Sequence, residues 1–149
     1  GGRVTRVATR RAPLEVARAF GGDHLVDLGA GEETPTGADV VFETAGGPTL
    51  LERSLAAAGP GATIGLVGEA FELQVLDVAT ALPRELTVVF VWSHDGRSEY
   101  ERALELASSG EVRLAATVTH HFPLTEIEEA FATASDRGGT GTIKVVVTP

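Results

Sequence analysis

Short apolar runs alternate along this chain with segments whose apolar residues recur every three or four positions, which predicts strands separated by helices. Val4 to Ala8 reads as a strand. Pro13 to Phe20 reads as a helix, with proline in its first turn and Gly21-Gly22 closing it. Leu25 to Leu28 is a short strand and Ala38 to Phe42 is expected to be a buried one, followed by the turn residues Gly46-Gly47-Pro48. Thr49 and Glu52 have capping-box spacing for the next helix. On it Leu51, Ser54, Leu55 and Ala58 share a face, and Gly59-Pro60-Gly61 stops it. Thr63 to Val67 is an apolar strand ending at Gly68, Phe71 to Leu76 is a further candidate strand, and Leu86 to Trp92 is an unbroken apolar run. A helix over Glu99 to Ser108 carries the stripe Tyr100, Ala103, Leu104 and Ala107. Ala116 to His120 reads as extended. Thr125 and Glu128 cap a last helix with the stripe Ile127, Ala130, Phe131 and Ala134, and Ile143 to Val147 closes the chain as a strand. Near-continuous apolar strands between helices imply a sheet covered on both faces, hence a largely parallel one. The predicted class is α/β, doubly wound.

Composition narrows the partners. The 149 residues suffice for one domain with a core. A net charge of −9 repels nucleic acid phosphates and anionic membranes, and no segment gathers enough Lys or Arg to reverse this. No apolar run approaches the ~20 residues of a membrane span. There is no cysteine, which removes disulfides, thiolate zinc sites and a cysteine nucleophile from the chain and agrees with a cytoplasmic setting. The start, Gly1 to Thr5, lacks the apolar core of a signal peptide, and the missing initial methionine suggests processing or a cut from something longer.

Candidate chemistry is sparse. His120 and His121 are neighbours in an extended segment, so their side chains point to opposite faces and cannot chelate one ion. Ser93-His94-Asp95 holds the three letters of a hydrolase triad, but contiguous residues cannot converge as that mechanism requires. His24 opens a strand; all four histidines read as structural or solvated. Leu25-Val26-Asp27-Leu28-Gly29-Ala30-Gly31 looks like the first motif of S-adenosylmethionine-dependent methyltransferases, although Glu33 stands where a third glycine belongs. Pro35 and Gly37 also break the helix that should follow, so methyl transfer is a distant alternative.

Five segments, in order, resemble the medium-chain dehydrogenase/reductase family, the zinc-type alcohol dehydrogenases and their quinone-reductase relatives. The first combines Arg3-Val4-Thr5 with Glu15-Val16-Ala17-Arg18-Ala19-Phe20-Gly21-Gly22-Asp23-His24. The others are Ala38 to Gly46, Gly61 to Gly68, Val118 to Leu124 and Gly141 to Val147. The resemblance implies a Rossmann-type, doubly wound sheet that lacks its first strand and Gly-rich turn, the unit that lays the cofactor's pyrophosphate on a helix N-terminus. The family's preceding catalytic domain, with its zinc ligands and proton relay, is expected outside these residues. Residues 1–115 would then be a partial dinucleotide-binding domain, and 116–149 a segment returning to the catalytic domain.

In the family, an acid at the end of the second strand favours NAD. Here Ala8 holds that place, Thr9-Arg10-Arg11 follows, and no Asp or Glu occurs before Glu15. The resemblance therefore implies NADP(H), its 2′-phosphate gripped by the planar donors of Arg10 and Arg11. A solvated basic turn is the alternative, and one that leaves cations at a helix N-terminus to be offset by something else. Ala45-Gly46 is expected on the adenosine side of the cofactor, Val67-Gly68 on the nicotinamide side, and Lys144 near the pyrophosphate. Gly46 and Gly68 could equally serve as turn residues with positive φ. Leu86 to Trp92 corresponds to the outer strand through which family members pair as homodimers.

The expected reaction is hydride transfer between an alcohol or carbonyl carbon and the nicotinamide, with this chain orienting the cofactor for a small-molecule substrate. Zinc, if used, would bind in the absent domain. A zinc-free quinone or enoyl reductase, or a non-catalytic nucleotide-binding or dimerisation module, are the alternatives.

Overall fold

The computed structural model describes residues 2–92, 96–136, 138 and 141–149. Its strands form three parallel sheets and its contacts divide it into two units, Gly1–Glu33 with Gly96–Pro149, and Thr34–Asp95. The α/β class and the parallel pairing are as expected.

The second unit holds β3 (Ala38–Glu43), α2 (Leu50–Ala57), β4 (Ala58–Leu66), α3 (Val78–Ala81) and β5 (Thr87–Phe90). The strands lie in the order β3-β4-β5. In register, Val41, Ile64 and Val88 form one row on the face that α2 covers, and Ile64 is fully buried. Leu50, Leu51, Leu55, Ala58, Ala62 and Leu66 complete that core. Of the helix face read from the sequence, Leu51, Ser54 and Leu55 are buried on α2, whereas Ala58 is buried as the first residue of β4. On the opposite face, Phe42 and Val89 are exposed and Gly65 lies under the Phe42 ring, where an added Cβ would meet Cδ1 at 3.2 Å. Gly59-Pro60-Gly61 belongs to β4 as an irregularity, because the β3–β4 register jumps between Ala38↔Ala58 and Val40↔Thr63.

Two local expectations fail here for physical reasons. Thr49 precedes α2 but makes no side-chain cap, because φ −110°, ψ 14° is not the extended conformation that aims a hydroxyl at the first turn. The far end of α2 is satisfied instead by Arg84, whose guanidinium donates to the Leu55 carbonyl at 3.0 Å and to that of Ala58. Arg84→Ala is expected to lower stability by about 1–2 kcal/mol in urea titration. Phe71 to Leu76 is no strand: it pairs with nothing, and Phe71 and Leu73 are more than nine-tenths exposed. Asp77 caps α3, and its hydrogen bonds from the Thr80 hydroxyl and N–H hold its carboxyl below the ordinary carboxylate range.

The first unit contains β1 (Thr5–Ala8), α1 (Arg11–Ala19), β2 (His24–Asp27), α4 (Arg97–Ser108), β6 (Val118–Pro123), α5 (Ile127–Ser135) and β7 (Lys144–Thr148). β1 pairs with β2, and β6 with β7. Helix α1 begins two residues before Pro13, whose missing N–H is harmless in a first turn. It buries Leu14, near the buried Val26 of β2. The expected cap at Thr125 is replaced by a 3-10 turn over Leu124–Glu126 that runs into α5 without a side-chain cap. Of the α5 stripe only Ala130 is buried; Phe131 is exposed, as are Tyr100 and Leu104 on α4. The β6–β7 register shifts between Val118 and His120. The side chain of Thr119 fills that irregularity, accepting from the Ile143 N–H and donating to the Lys144 carbonyl.

Candidate cofactor-binding site

Parallel strands bring their C-terminal ends to one edge of a sheet, and in doubly wound folds ligands bind there. In the sheet β3-β4-β5 that edge is built around Glu43, the last residue of β3 and half-buried. Its carbonyl accepts from Val67 N–H at 2.8 Å and from Gly68 N–H at 2.9 Å. Its Oε1 accepts from Ala45 N–H at 2.9 Å and from Gly46 N–H at 3.1 Å, while Oε2 stands 3.2 Å from the same Gly46 nitrogen. Gly47 N–H donates to the Glu69 carbonyl, which closes the two strand-end turns on each other. The third strand extends the edge, since Val91 N–H donates to the Leu66 carbonyl at 2.9 Å and is followed by the exposed Trp92.

The four residues Ala45, Gly46, Val67 and Gly68 therefore come together. Gly46 has φ +73°, and a Cβ there would stand 2.2 Å from the Glu69 carbonyl oxygen. Gly68 has no such φ, but its Cβ would stand 2.3 Å from Glu43 Oε2 and 2.3 Å from Gly46 N. The turn requirement thus accounts for Gly46, and close packing of the two turns accounts for Gly68.

Thr9, Arg10 and Arg11 lie in the other unit, between the C-terminal end of β1 and the first turn of α1. Thr9 is exposed, and its carbonyl oxygen would be 2.4 Å from a Cβ on Gly29, so the turn after β2 presses against it. Arg10 Nη1 donates to the Thr142 carbonyl at 3.1 Å, and Arg11 Nε pairs with Glu15 at 3.1 Å across one helical turn. These contacts supply the compensation that cations at a helix N-terminus require. Lys144 is the first residue of β7 and exposed. The Arg10 contact reaches the loop just ahead of it.

The backbone donors of Ala45, Gly46, Val67 and Gly68 are already taken by Glu43. Zinc does not fit: among the described residues no group of three or more His, Asp or Glu could hold a metal ion. His120 and His121 alternate across β6 as expected, His120 stacking on Phe122 with ring centres 6.5 Å apart. Ser93-His94-Asp95 lies outside the described residues. The methyltransferase motif fails in context, because β2 leads into a 3-10 turn over Leu28–Ala30 and the next α-helix after it is α2. Asp27 accepts from Ala30 N–H and Glu32 accepts from Asp27 N–H, so the turn is closed by its own carboxylates.

Sequence reasoning missed Glu43 and the pair Val91-Trp92. An acid two and three positions before a Gly-containing turn was the available signal for Glu43, since such side chains accept from nearby N–H groups.

The zinc-binding dehydrogenase family matches residues 20–147. A sorbitol dehydrogenase of Arabidopsis thaliana is 29% identical over 158 residues, spanning 97% of this chain and 42% of the relative. A zinc-binding dehydrogenase of Sinorhizobium meliloti bound to NADP superposes with a TM-score of 0.81 at 24% identity, over 100% of this chain and 46% of that one. An alcohol dehydrogenase of Escherichia coli in complex with NADH gives 0.80 at 19% identity, over 99% and 44%. The chain spans less than half the length of these relatives. No described helix is long and apolar enough to cross a membrane. With the family matched over most of its length and the fold shared, this chain belongs to the zinc-binding dehydrogenases.

Proposed function

We propose that this chain is the nicotinamide-dinucleotide-binding part of an alcohol or polyol dehydrogenase, and that its preferred cofactor is NADP(H). The observation that carries the reading is the edge at which the β3 and β4 turns close on Glu43 and β5 adds Val91-Trp92. When bound, the cofactor supplies hydride exchange at the nicotinamide ring. The chain's own residues bind and orient it: Ala45-Gly46 on the adenosine side, Val67-Gly68 on the nicotinamide side. Thr9, Arg10 and Arg11 form the 2′-phosphate end, and Lys144 stands near the pyrophosphate. The absence of any acid before Glu15 supports the phosphate-bearing cofactor. Polyol substrates are supported by the sorbitol dehydrogenase relative. Residues 1–115 serve the cofactor, and 116–149 lead back towards a substrate domain whose residues, with any zinc, lie elsewhere. Among the described residues β5 is paired on one side only, and its exposed Val89 and Phe90 support a homodimer through that edge. A cytoplasmic location accords with the lack of cysteine.

Trp92, the single tryptophan of this sequence, gives the test. Titration with NADPH should quench indole emission and sensitise nicotinamide emission, with half-saturation in the range of about 1 µM to 1 mM. NADH should bind more weakly. The absence of both an optical change and a calorimetric signal with either dinucleotide would overturn the reading.

A further inference from the structure

One residue answers four backbone N–H groups at the β3 and β4 strand-end turns. The main-chain oxygen of Glu43 takes those of Val67 and Gly68, and its carboxylate takes those of Ala45 and Gly46. Successive N–H groups at a turn ordinarily make a concavity for an anion. Here the protein's own carboxylate fills it, and Gly68 makes room, since any Cβ there would stand 2.3 Å from Glu43 Oε2. We infer that Glu43 is a positioning residue for the dinucleotide: it locks the two turns together and leaves none of these four donors for a phosphate. This edge then receives the uncharged rings and riboses.

Two physical points support the assignment. A carboxylate accepting two N–H groups makes charge-assisted bonds, stronger than a neutral acceptor would. A fixed negative charge at the turn also disfavours a phosphate beside it, so the ligand is held in one register along the edge. The inference rests on the cofactor-binding reading above.

The test compares Glu43→Ala with Glu43→Asp in the intact protein, using NADPH and NADH as probes. Aspartate keeps a carboxylate able to accept from N–H groups two and three positions on. Calorimetry should show Glu43→Ala binding both dinucleotides about tenfold more weakly and Glu43→Asp within about threefold of the parent. Hydrogen–deuterium exchange should quicken at Ala45 and Gly46 in Glu43→Ala, while Val67 and Gly68, bonded to the main chain, stay protected. A folded Glu43→Ala that binds like the parent, or a Glu43→Asp as weak as Glu43→Ala, overturns the positioning role alone. If Glu43→Ala does not fold, Glu43→Gln replaces it with the same expected weakening and the same overturning result, because its amide donors would face Gly46 N–H. A parent protein that binds neither dinucleotide overturns the functional reading, and this one with it.

Discussion

Gly46→Ala should cost the protein about 2–4 kcal/mol of stability and remove most of its dinucleotide affinity. Two penalties combine at this position. The backbone sits at φ +73°, where a Cβ is unfavourable, and the new methyl would lie 2.2 Å from the Glu69 carbonyl oxygen. That oxygen belongs to the main chain and accepts from Gly47 N–H, so it cannot swing aside without opening the contact between the two turns. Gly47 supplies the control. Its φ is +96°, yet nothing lies within 4 Å of its would-be Cβ, so Gly47→Ala should show the conformational penalty alone, about 1–2 kcal/mol. Urea or thermal unfolding of both variants, with NADPH titration of each, decides the matter. Equal losses at the two glycines would mean that the close approach at Gly46 carries no weight.

Replacing Arg10 and Arg11 together with alanine should weaken NADPH by about a hundredfold and NADH by less than about threefold, because only the former has a 2′-phosphate for guanidinium forks to hold. The structure lets the two arginines be told apart. Arg10 also ties the start of α1 to the Thr142 carbonyl, so Arg10→Ala should lower stability by about 1 kcal/mol even without ligand. Arg11 is paired with Glu15 on an exposed helix face, an interaction of little consequence for folding, so Arg11→Ala should act on affinity with almost no change in unfolding midpoint. Equal weakening of both cofactors by the double replacement would assign the arginines to the fold and leave the cofactor preference to other residues.

The α/β class and the parallel pairing were legible because parallel strands in a sheet write themselves as short apolar runs, whether buried as Thr63 to Leu66 is or largely exposed as Thr87 to Phe90 is. The buried face of α2 was legible because Leu51, Ser54 and Leu55 recur at helical spacing and meet a sheet. Periodicity says what an element could bury, however, and not whether a partner is present. The Tyr100–Leu104 stripe and the alternation of Phe71, Leu73 and Val75 are well-formed patterns that face solvent. The two capping boxes failed because the motif specifies side chains, whereas the cap also needs an extended backbone that Thr49 lacks and that a 3-10 turn pre-empts at Thr125. At the site, the glycines were found by their position after apolar strands. Glu43 was harder to find because its partners are backbone groups: an acid ahead of a Gly-containing turn signals only Ala45 and Gly46, and the other two, Val67 and Gly68, lie beyond the end of another strand.

The second unit is one uninterrupted stretch, Thr34–Asp95, whereas the first is assembled from both ends of the sequence. The Arg10–Thr142 bond joins residues 132 positions apart, and that from Arg113 to the Ala19 carbonyl joins residues 94 apart. Emerging from a ribosome at ~5–20 residues per second, the middle of the chain has every contact of its own core available seconds before its flanks can find each other. During that interval the β1-α1-β2 unit, whose two strands pair in parallel, lacks the Arg10–Thr142 and Arg113–Ala19 bonds. Synthesis of this stretch should accordingly be most vulnerable while residues 1–33 wait for residues 96–149, which makes slow synthesis and cool growth a risk borne by the flanks of the middle unit and not by that unit.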